Sequence, residues 1–231
     1  MAGSQQEPAT LCECPQISVD VVIFSLRDDQ LRILLVSRQR PPFENTWAIP
    51  GGVVRDDEAL ERAAQRQLEE QTGLVDVFLE QLYTFGDPHR HPHQRIVSVT
   101  YFAVVPPTGI VPRAADDGQR VRWWPMGDLP PLAFDHGSIL DYALTRLRYK
   151  LEYTAVGFEL LPQTFTLTEL QTAYEIVLGE TLDKRNFRRK ILSAEIIEPT
   201  GEYRAGEGRP AQLYRYRQDA VAEVKARRLF P

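Results

Sequence analysis

Hydrophobic and polar positions divide the chain into two stretches with different rhythms. Ile17 to Leu26 and Leu31 to Val36 are β-rich and apolar, and Arg27-Asp28-Asp29-Gln30 between them is polar. Two such runs around a short polar link predict a β-hairpin. A polar loop from Ser37 to Asn45 follows. The apolar run Trp47-Ala48-Ile49-Pro50 and then Gly51-Gly52 predict a strand and a tight turn leading into a helix. That helix covers Glu58 to Thr72, which are mostly strong helix formers, and Gly73 is its stop. Val75–Phe85, Ile96–Val105 and Val121–Trp124 predict three more strands, the second of them central. Apolar residues at 139, 140, 143, 144 and 147 have the spacing of a helix face and predict a helix over Ile139–Leu151.

After Pro162 the pattern changes. Thr166-Leu167-Thr168-Glu169 is a capping box. Leu170, Ala173, Tyr174, Val177 and Leu178 then repeat at helical spacing until Gly179. Asp183 is a good N-cap for a second helix, Lys184–Ala194, anchored by Phe187, Ile191 and Leu192. Ile196-Ile197 begins a strand, and Gln212–Tyr216 returns as another after a Gly- and Arg-containing turn. Helix, short turn, basic helix and hairpin is the order of a winged helix-turn-helix. The chain therefore divides into a tail over 1–16, a front module over 17–155 and a rear module over 156–231.

Charge sharpens that division. The 231 residues carry a formal charge of −5, so the chain as a whole is not built to bind polyanions. Residues 1–162 hold 15 Lys+Arg and 22 Asp+Glu, a net of −7, whereas residues 163–231 hold 12 and 10, a net of +2. An acidic front and a basic rear point to two modules with different partners. Within the rear, five cations fall in seven residues, Lys184, Arg185, Arg188, Arg189 and Lys190, with Asn186 among them. Arg and Asn are the residue types that read guanine and adenine edges in the major groove. These six residues, with Arg204 and Arg209 in the wing, are the candidate contacts to a double-stranded DNA operator. No apolar run approaches the ~18 residues of a membrane span. The polar N-terminus lacks a signal-peptide core. The expected location is the cytoplasm, with no membrane partner. Cys12 and Cys14 offer neither a disulfide framework nor enough ligands for structural zinc.

The front module carries its chemistry on the helix Glu58–Thr72. At about 100° per residue, Gln67, Glu70 and Gln71 share one narrow face. Carboxylates at all three positions would converge on a hard cation such as Mg²⁺, which takes oxygen ligands. Here only one of the three is charged. With Gly52, Glu58, Arg66, Leu68, Gly73 and Leu74 at their spacing, the segment resembles the Nudix box, in which positions 67 and 71 are metal-binding glutamates. The resemblance implies an α+β architecture: a Nudix α/β/α sandwich followed by a small winged helix-turn-helix domain. It also implies that Glu58, Arg66, Gln67, Glu70 and Gln71 form a degenerate catalytic motif. No metal site is expected, and no cofactor.

The loop Gly86-Asp87-Pro88-His89-Arg90-His91-Pro92-His93-Gln94-Arg95 partly resembles a segment of ADP-ribose-handling Nudix proteins. Its three alternating histidines, His89, His91 and His93, are read as part of a solvated loop in preference to a metal site. Arg90, Arg95 and the earlier Arg40 are candidates for holding phosphates, because guanidinium pairs well with phosphate oxygens. Gly51 and Gly52 complete the candidate effector site.

Leu182–Lys190 and Gly208–Arg215 closely resemble the C-terminal signature of the Nudix-related transcriptional regulators of NAD metabolism. This resemblance implies a homodimeric repressor that senses ADP-ribose and releases its operator when the nucleotide binds. Two alternatives stay open. One is a Nudix hydrolase acting on ADP-ribose or a related nucleoside diphosphate derivative, with Glu58, Glu69, Asp116 or Asp117 as substitute ligands. The other is a scaffold with neither activity.

Overall fold

The computed structural model describes residues 14–108, 111–114, 119–153, 156–205 and 210–217. Its central strand is β1 (Gln16–Arg27), apolar and buried from Val21 to Phe24. Successive strand residues face opposite sides, so both faces of the sheet need cover. On one side Val19, Val21 and Ile23 share a core with Ala63, Ala64 and Leu68 of helix α1 (Leu60–Thr72). On the other, Val22 and Phe24 share a core with Ile139, Leu140 and Ala143 of helix α2 (His136–Tyr153). The result is the expected α/β/α sandwich.

Strand β2 (Gln30–Ser37) folds back on β1 as the predicted hairpin. Its turn places Asp28 and Asp29 at φ 49° and 53°, the left-handed geometry that suits hairpin twist and that Asp tolerates. Further out, β6 (Ile96–Val105) runs parallel to β1, and β5 (Glu80–Phe85) is antiparallel to β6. β7 (Val121–Pro125) pairs with β2, as does the short β3 (Trp47–Ala48).

Three sequence expectations change here. Gly51-Gly52 is not a turn into the helix but part of β4 (Gly51–Val53), antiparallel to β1 with Gly51 opposite Asp20. A Cβ on Gly51 would stand 2.4 Å from Asp20 Oδ1 and from the Val19 carbonyl oxygen, and one on Gly52 would stand 2.5 Å from the Gln67 amide. The glycines are there for close approach. The helix therefore starts later, at Leu60, leaving Glu58 in the preceding turn, where its Oε1 accepts from the Arg55 N–H at 2.9 Å. The strand expected from Val75 begins only at Glu80, after Asp76 turns the backbone through φ 55°. Gly73 ends α1 as expected, at φ 69° with its N–H donating to the Glu69 carbonyl.

The rear module starts with the short helix α3 (Val156–Glu159). Helix α4 (Leu167–Leu178) is closed at its start by the predicted capping box of Thr166 and Glu169 and at its end by Gly179 at φ 77°. Helix α5 (Lys184–Ser193) starts at Asp183, whose side chain accepts from the Asn186 N–H. Strands β8 (Ile197–Arg204) and β9 (Ala211–Tyr216) form the wing, and Tyr214 also exchanges two backbone hydrogen bonds with Phe165. Phe187 and Ile191 are buried, with Phe187 edge-on to Tyr174 at 5.6 Å. Burying a ring of this size stabilises by about 1.5–3 kcal/mol. Leu192 is 46 % exposed and is not an anchor. It lies about 120° around the helix from the midline between Phe187 and Ile191.

The expected boundary between residues 155 and 156 does not interrupt the core. Leu147 and Leu151 of α2 belong to the same apolar cluster as Phe158, Leu161, Tyr174 and Val177. Gly157 permits this packing, since a Cβ there would lie 2.7 Å from Tyr174 and 2.8 Å from Leu151. Among the described residues no helix is long and apolar enough to cross a membrane.

Candidate functional site

A cleft of about 850 Å³ opens where β4, the end of β2, the outer face of α1 and the start of α2 converge. Its lining includes Gly51, Gly52, Gln67, Glu70, Gln71, Arg38, Arg40, Arg90, Phe134 and His136. Another cleft, of about 790 Å³, lies on the far side of α1 around Arg62, Glu69 and Val75, away from the two glycines.

The box side chains form two separate groups. Gln71 closes onto the glycine strand: its Nε2 donates to the Gly51 carbonyl at 2.7 Å and its Oε1 accepts from the Gly51 N–H at 3.3 Å. The same Nε2 donates to Gln67 Oε1 at 2.6 Å. Two neutral amides thus occupy the helix face where convergent carboxylates would gather cations. The remaining acids turn to arginines. Glu58 takes a two-pronged bond from Arg66, with Nε to Oε2 at 2.8 Å and Nη2 to Oε1. That hydrogen bond holds the Glu58 carboxyl at a pKa of about 2, well below the ordinary 4.5, and pushes the Arg66 pKa up. Glu70 accepts from Arg66 Nη1 at 3.1 Å and lies 3.5 Å from Arg55 Nη2.

Among the described residues no group of three or more His, Cys, Asp or Glu is placed to hold a metal ion. The donor set, two amides plus two acids already paired with arginine, does not fit a catalytic Mg²⁺ cluster. Of the proposed substitute ligands, Glu69 lines the other cleft, while Asp116 and Asp117 lie outside the described residues.

Beneath the glycine strand lies a buried polar network that the sequence did not reveal. Asp20 accepts from Ser98 Oγ at 2.5 Å and lies 3.4 Å from Arg90 Nη2. Arg90 grips Asp135 through Nε at 3.0 Å and Nη2 at 2.8 Å. His136 Nδ1 accepts from the Ile49 N–H at 2.9 Å, and its Nε2 faces Asp20 Oδ1 at 3.7 Å. Burial lowers the His136 pKa. A neutral ring that accepts at Nδ1 carries its proton on Nε2, toward Asp20.

The candidate phosphate holders therefore differ in standing. Arg90 is buried in the lining of the cleft and paired with two carboxylates, Asp20 and Asp135. Arg95 is exposed, donates to the Asp87 carbonyl at 3.3 Å and is not among the lining residues. Arg40 is exposed on the rim. Sequence reading missed Arg38, which lines the cleft with its guanidinium 4.6 Å over the Phe134 ring. His91 stacks on the same ring at 5.2 Å, and burial lowers its pKa.

In the rear module Arg185 and Arg189 are exposed, opposite buried Phe187 and Ile191. Lys184 is exposed, and Lys190 is half-buried. Arg189 Nη2 donates to Asn186 Oδ1 at 2.8 Å, which orders the outer face. Arg188, another of the candidate DNA contacts, is half-buried and donates to Thr168 Oγ1 at 3.1 Å. Arg204 pairs with the capping-box acid Glu169, fixing the wing to α4. Arg209 lies outside the described residues.

Family models match both modules. The NUDIX domain matches residues 16–143, and the NrtR DNA-binding winged helix domain matches residues 157–216. An ADPR responsive transcriptional repressor of Acinetobacter baylyi is 39 % identical over 206 residues, covering 87 % of this chain and 82 % of the relative. The crystal structure of Shewanella oneidensis NrtR complexed with a 27mer DNA superposes with a TM-score of 0.81 at 36 % identity, over 93 % of this chain and 99 % of that one. The Nudix domain of the same Shewanella protein complexed with ADP ribose matches with a TM-score of 0.55 at 35 % identity, over 62 % of this chain and 94 % of that one. With both domains matched in order and the fold shared along nearly the whole length, the chain belongs to the NrtR family, a Nudix domain followed by an NrtR DNA-binding winged helix domain.

Proposed function

We propose that the protein is an ADP-ribose-responsive transcriptional repressor of genes for NAD salvage or synthesis, acting in the cytoplasm where its DNA target lies. The Nudix domain holds the nucleotide without hydrolysing it. The winged helix domain occupies a double-stranded operator until the nucleotide binds. The observation that carries this reading is the Gln67–Gln71 amide pair closed on Gly51, which keeps a nucleotide-sized cleft while removing the charge that would gather metal ions. The exposed Arg185 and Arg189 on a second helix of helix-turn-helix spacing supply the DNA half. The ligands of the Acinetobacter and Shewanella relatives support both halves.

Helix α2 is the element through which the two sites communicate. It spans 18 residues, about 27 Å at 1.5 Å per residue. Its start lies at the cleft through His136, and its last turns share a core with α4. A ligand that favours one position of α2 thereby favours one placement of α4 and α5. We further propose that two copies pair and read two half-sites about one helical turn apart, because a single short helix contacts only a few base pairs.

The test uses fluorescent duplexes from the region upstream of the protein's own gene and its neighbours. The expected result is specific binding that ADP-ribose weakens by about 5- to 150-fold. Binding with no sequence preference, or binding indifferent to ADP-ribose, would overturn the reading.

A further inference from the structure

We propose that Arg38, stacked on Phe134, is the cation that holds the diphosphate of the effector, and that it does so without a metal ion. This deepens the ADP-ribose reading above and rests on it.

A nucleoside diphosphate brings a negative diphosphate into the cleft, and something must neutralise it. Gln67 and Gln71 are neutral and Glu58 and Glu70 face arginines, so the box offers little free negative charge with which to recruit metal ions. The protein's own cations must meet the phosphates directly. Arg90 has its charge balanced by Asp20 and Asp135.

Arg38 is different. It lines the cleft just past the end of β2; buried Asp20 attracts it from a distance, but among the described residues no carboxylate reaches it closely enough for an ion pair. Its Nε donates to the Pro42 carbonyl at 2.9 Å, and its Nη2 makes a longer contact of 3.4 Å to the Arg40 carbonyl. Burial lowers its pKa, the sign of a partly desolvated cation. A charge in that position is costly until a counter-charge arrives.

Phe134 explains how the guanidinium is held. Its backbone is left-handed at φ 52°, a conformation unfavourable for a bulky residue and one that marks functional sites. The ring is fixed edge-on by Phe43 at 4.9 Å and stacked by His91. The ring positions the guanidinium from below, its Cζ 4.6 Å over the centroid, while Nε and Nη2 hold backbone carbonyls and leave Nη1 for a ligand. Guanidinium in this setting takes phosphate oxygens two at a time, which an ammonium cannot do.

The experiment is calorimetry on the full chain with ADP-ribose and with inorganic pyrophosphate, each in EDTA and in MgCl₂. The proteins are wild type, Arg38→Gln and Arg38→Lys. Wild type should bind ADP-ribose equally, within about twofold, with and without Mg²⁺. Arg38→Gln should weaken both ligands by about 10- to 100-fold, the range for a hydrogen bond to a charged group, and Arg38→Lys should fall between. Melting temperature and ligand-free DNA affinity should stay at wild-type values. Wild-type affinity in Arg38→Gln overturns the proposal, as does binding that vanishes in EDTA. So does a ligand loss matched by losses in melting temperature and DNA affinity, which would make Arg38 only a loop anchor. If wild type binds pyrophosphate but not ADP-ribose, and Arg38→Gln abolishes that binding, the diphosphate site stands and the effector reading falls. Binding of neither ligand overturns both.

Discussion

Arg148 Nε donates a hydrogen bond of 2.8 Å to the carbonyl oxygen of Val177. The donor sits near the end of α2, and the acceptor is one of the unsatisfied carbonyls in the last turn of α4, where a cation is favourable. One bond thus joins the helix that begins at the cleft to the helix that supports α5. Arg148→Ala is expected to leave ADP-ribose affinity and DNA affinity, each measured alone, within about threefold of wild type. The ratio of DNA affinities with and without ADP-ribose should fall toward one, from the roughly 5- to 150-fold expected of a coupled pair. An undiminished ratio would place the coupling elsewhere.

On α5 the outward residues are Arg185 and Arg189, while Arg188 leans on Thr168. Arg185→Ala or Arg189→Ala should cost about 1–3 kcal/mol per half-site where the side chain reads a base. Arg188→Ala should cost less on DNA. Titrations on operator and on random duplexes separate the cases, since loss of a phosphate contact lowers affinity on all sequences and flattens the salt dependence.

The Glu58–Arg66 pair predicts an acid signature. Glu58 has a folded pKa of about 2 against an ordinary 4.5. A depressed carboxylate pKa contributes stability that is complete above 4.5 and is lost as pH falls toward 2. Wild type should therefore lose melting temperature between pH 4.5 and 2 more steeply than Glu58→Gln. Parallel curves would mean the pair is not formed in solution.

Incubation with ADP-ribose and Mg²⁺ should release no AMP at the 1–10³ s⁻¹ typical of enzymes. Two of the three helix-face positions are amides, and the nearby acids are paired with arginines. Chromatographic detection of steady AMP formation would restore the hydrolase reading.

What the sequence revealed was local. The capping box joins residues three apart, Asp183 caps a residue three away, and Phe187 and Ile191 are one turn apart. What it hid was distant. Arg90 meets Asp135 across 45 residues and Asp20 across 70, so its two carboxylate partners carry no local signal. Gly51-Gly52 looked like a turn because glycine commonly makes one, whereas close approach to Asp20 and Gln67 is a tertiary fact. Arg38 carries no local mark at all, since its partner Phe134 lies on another loop.

The most direct test of the central claim closes the thermodynamic cycle. ADP-ribose affinity is measured by calorimetry on the free protein and on the protein saturated with operator DNA. DNA affinity is measured with and without ADP-ribose. If one protein couples the two sites, both ratios must be equal, with each ligand weakening the other by the same factor. Equal ratios above about fivefold are the predicted result. Affinity for ADP-ribose that is identical with and without operator would contradict the account.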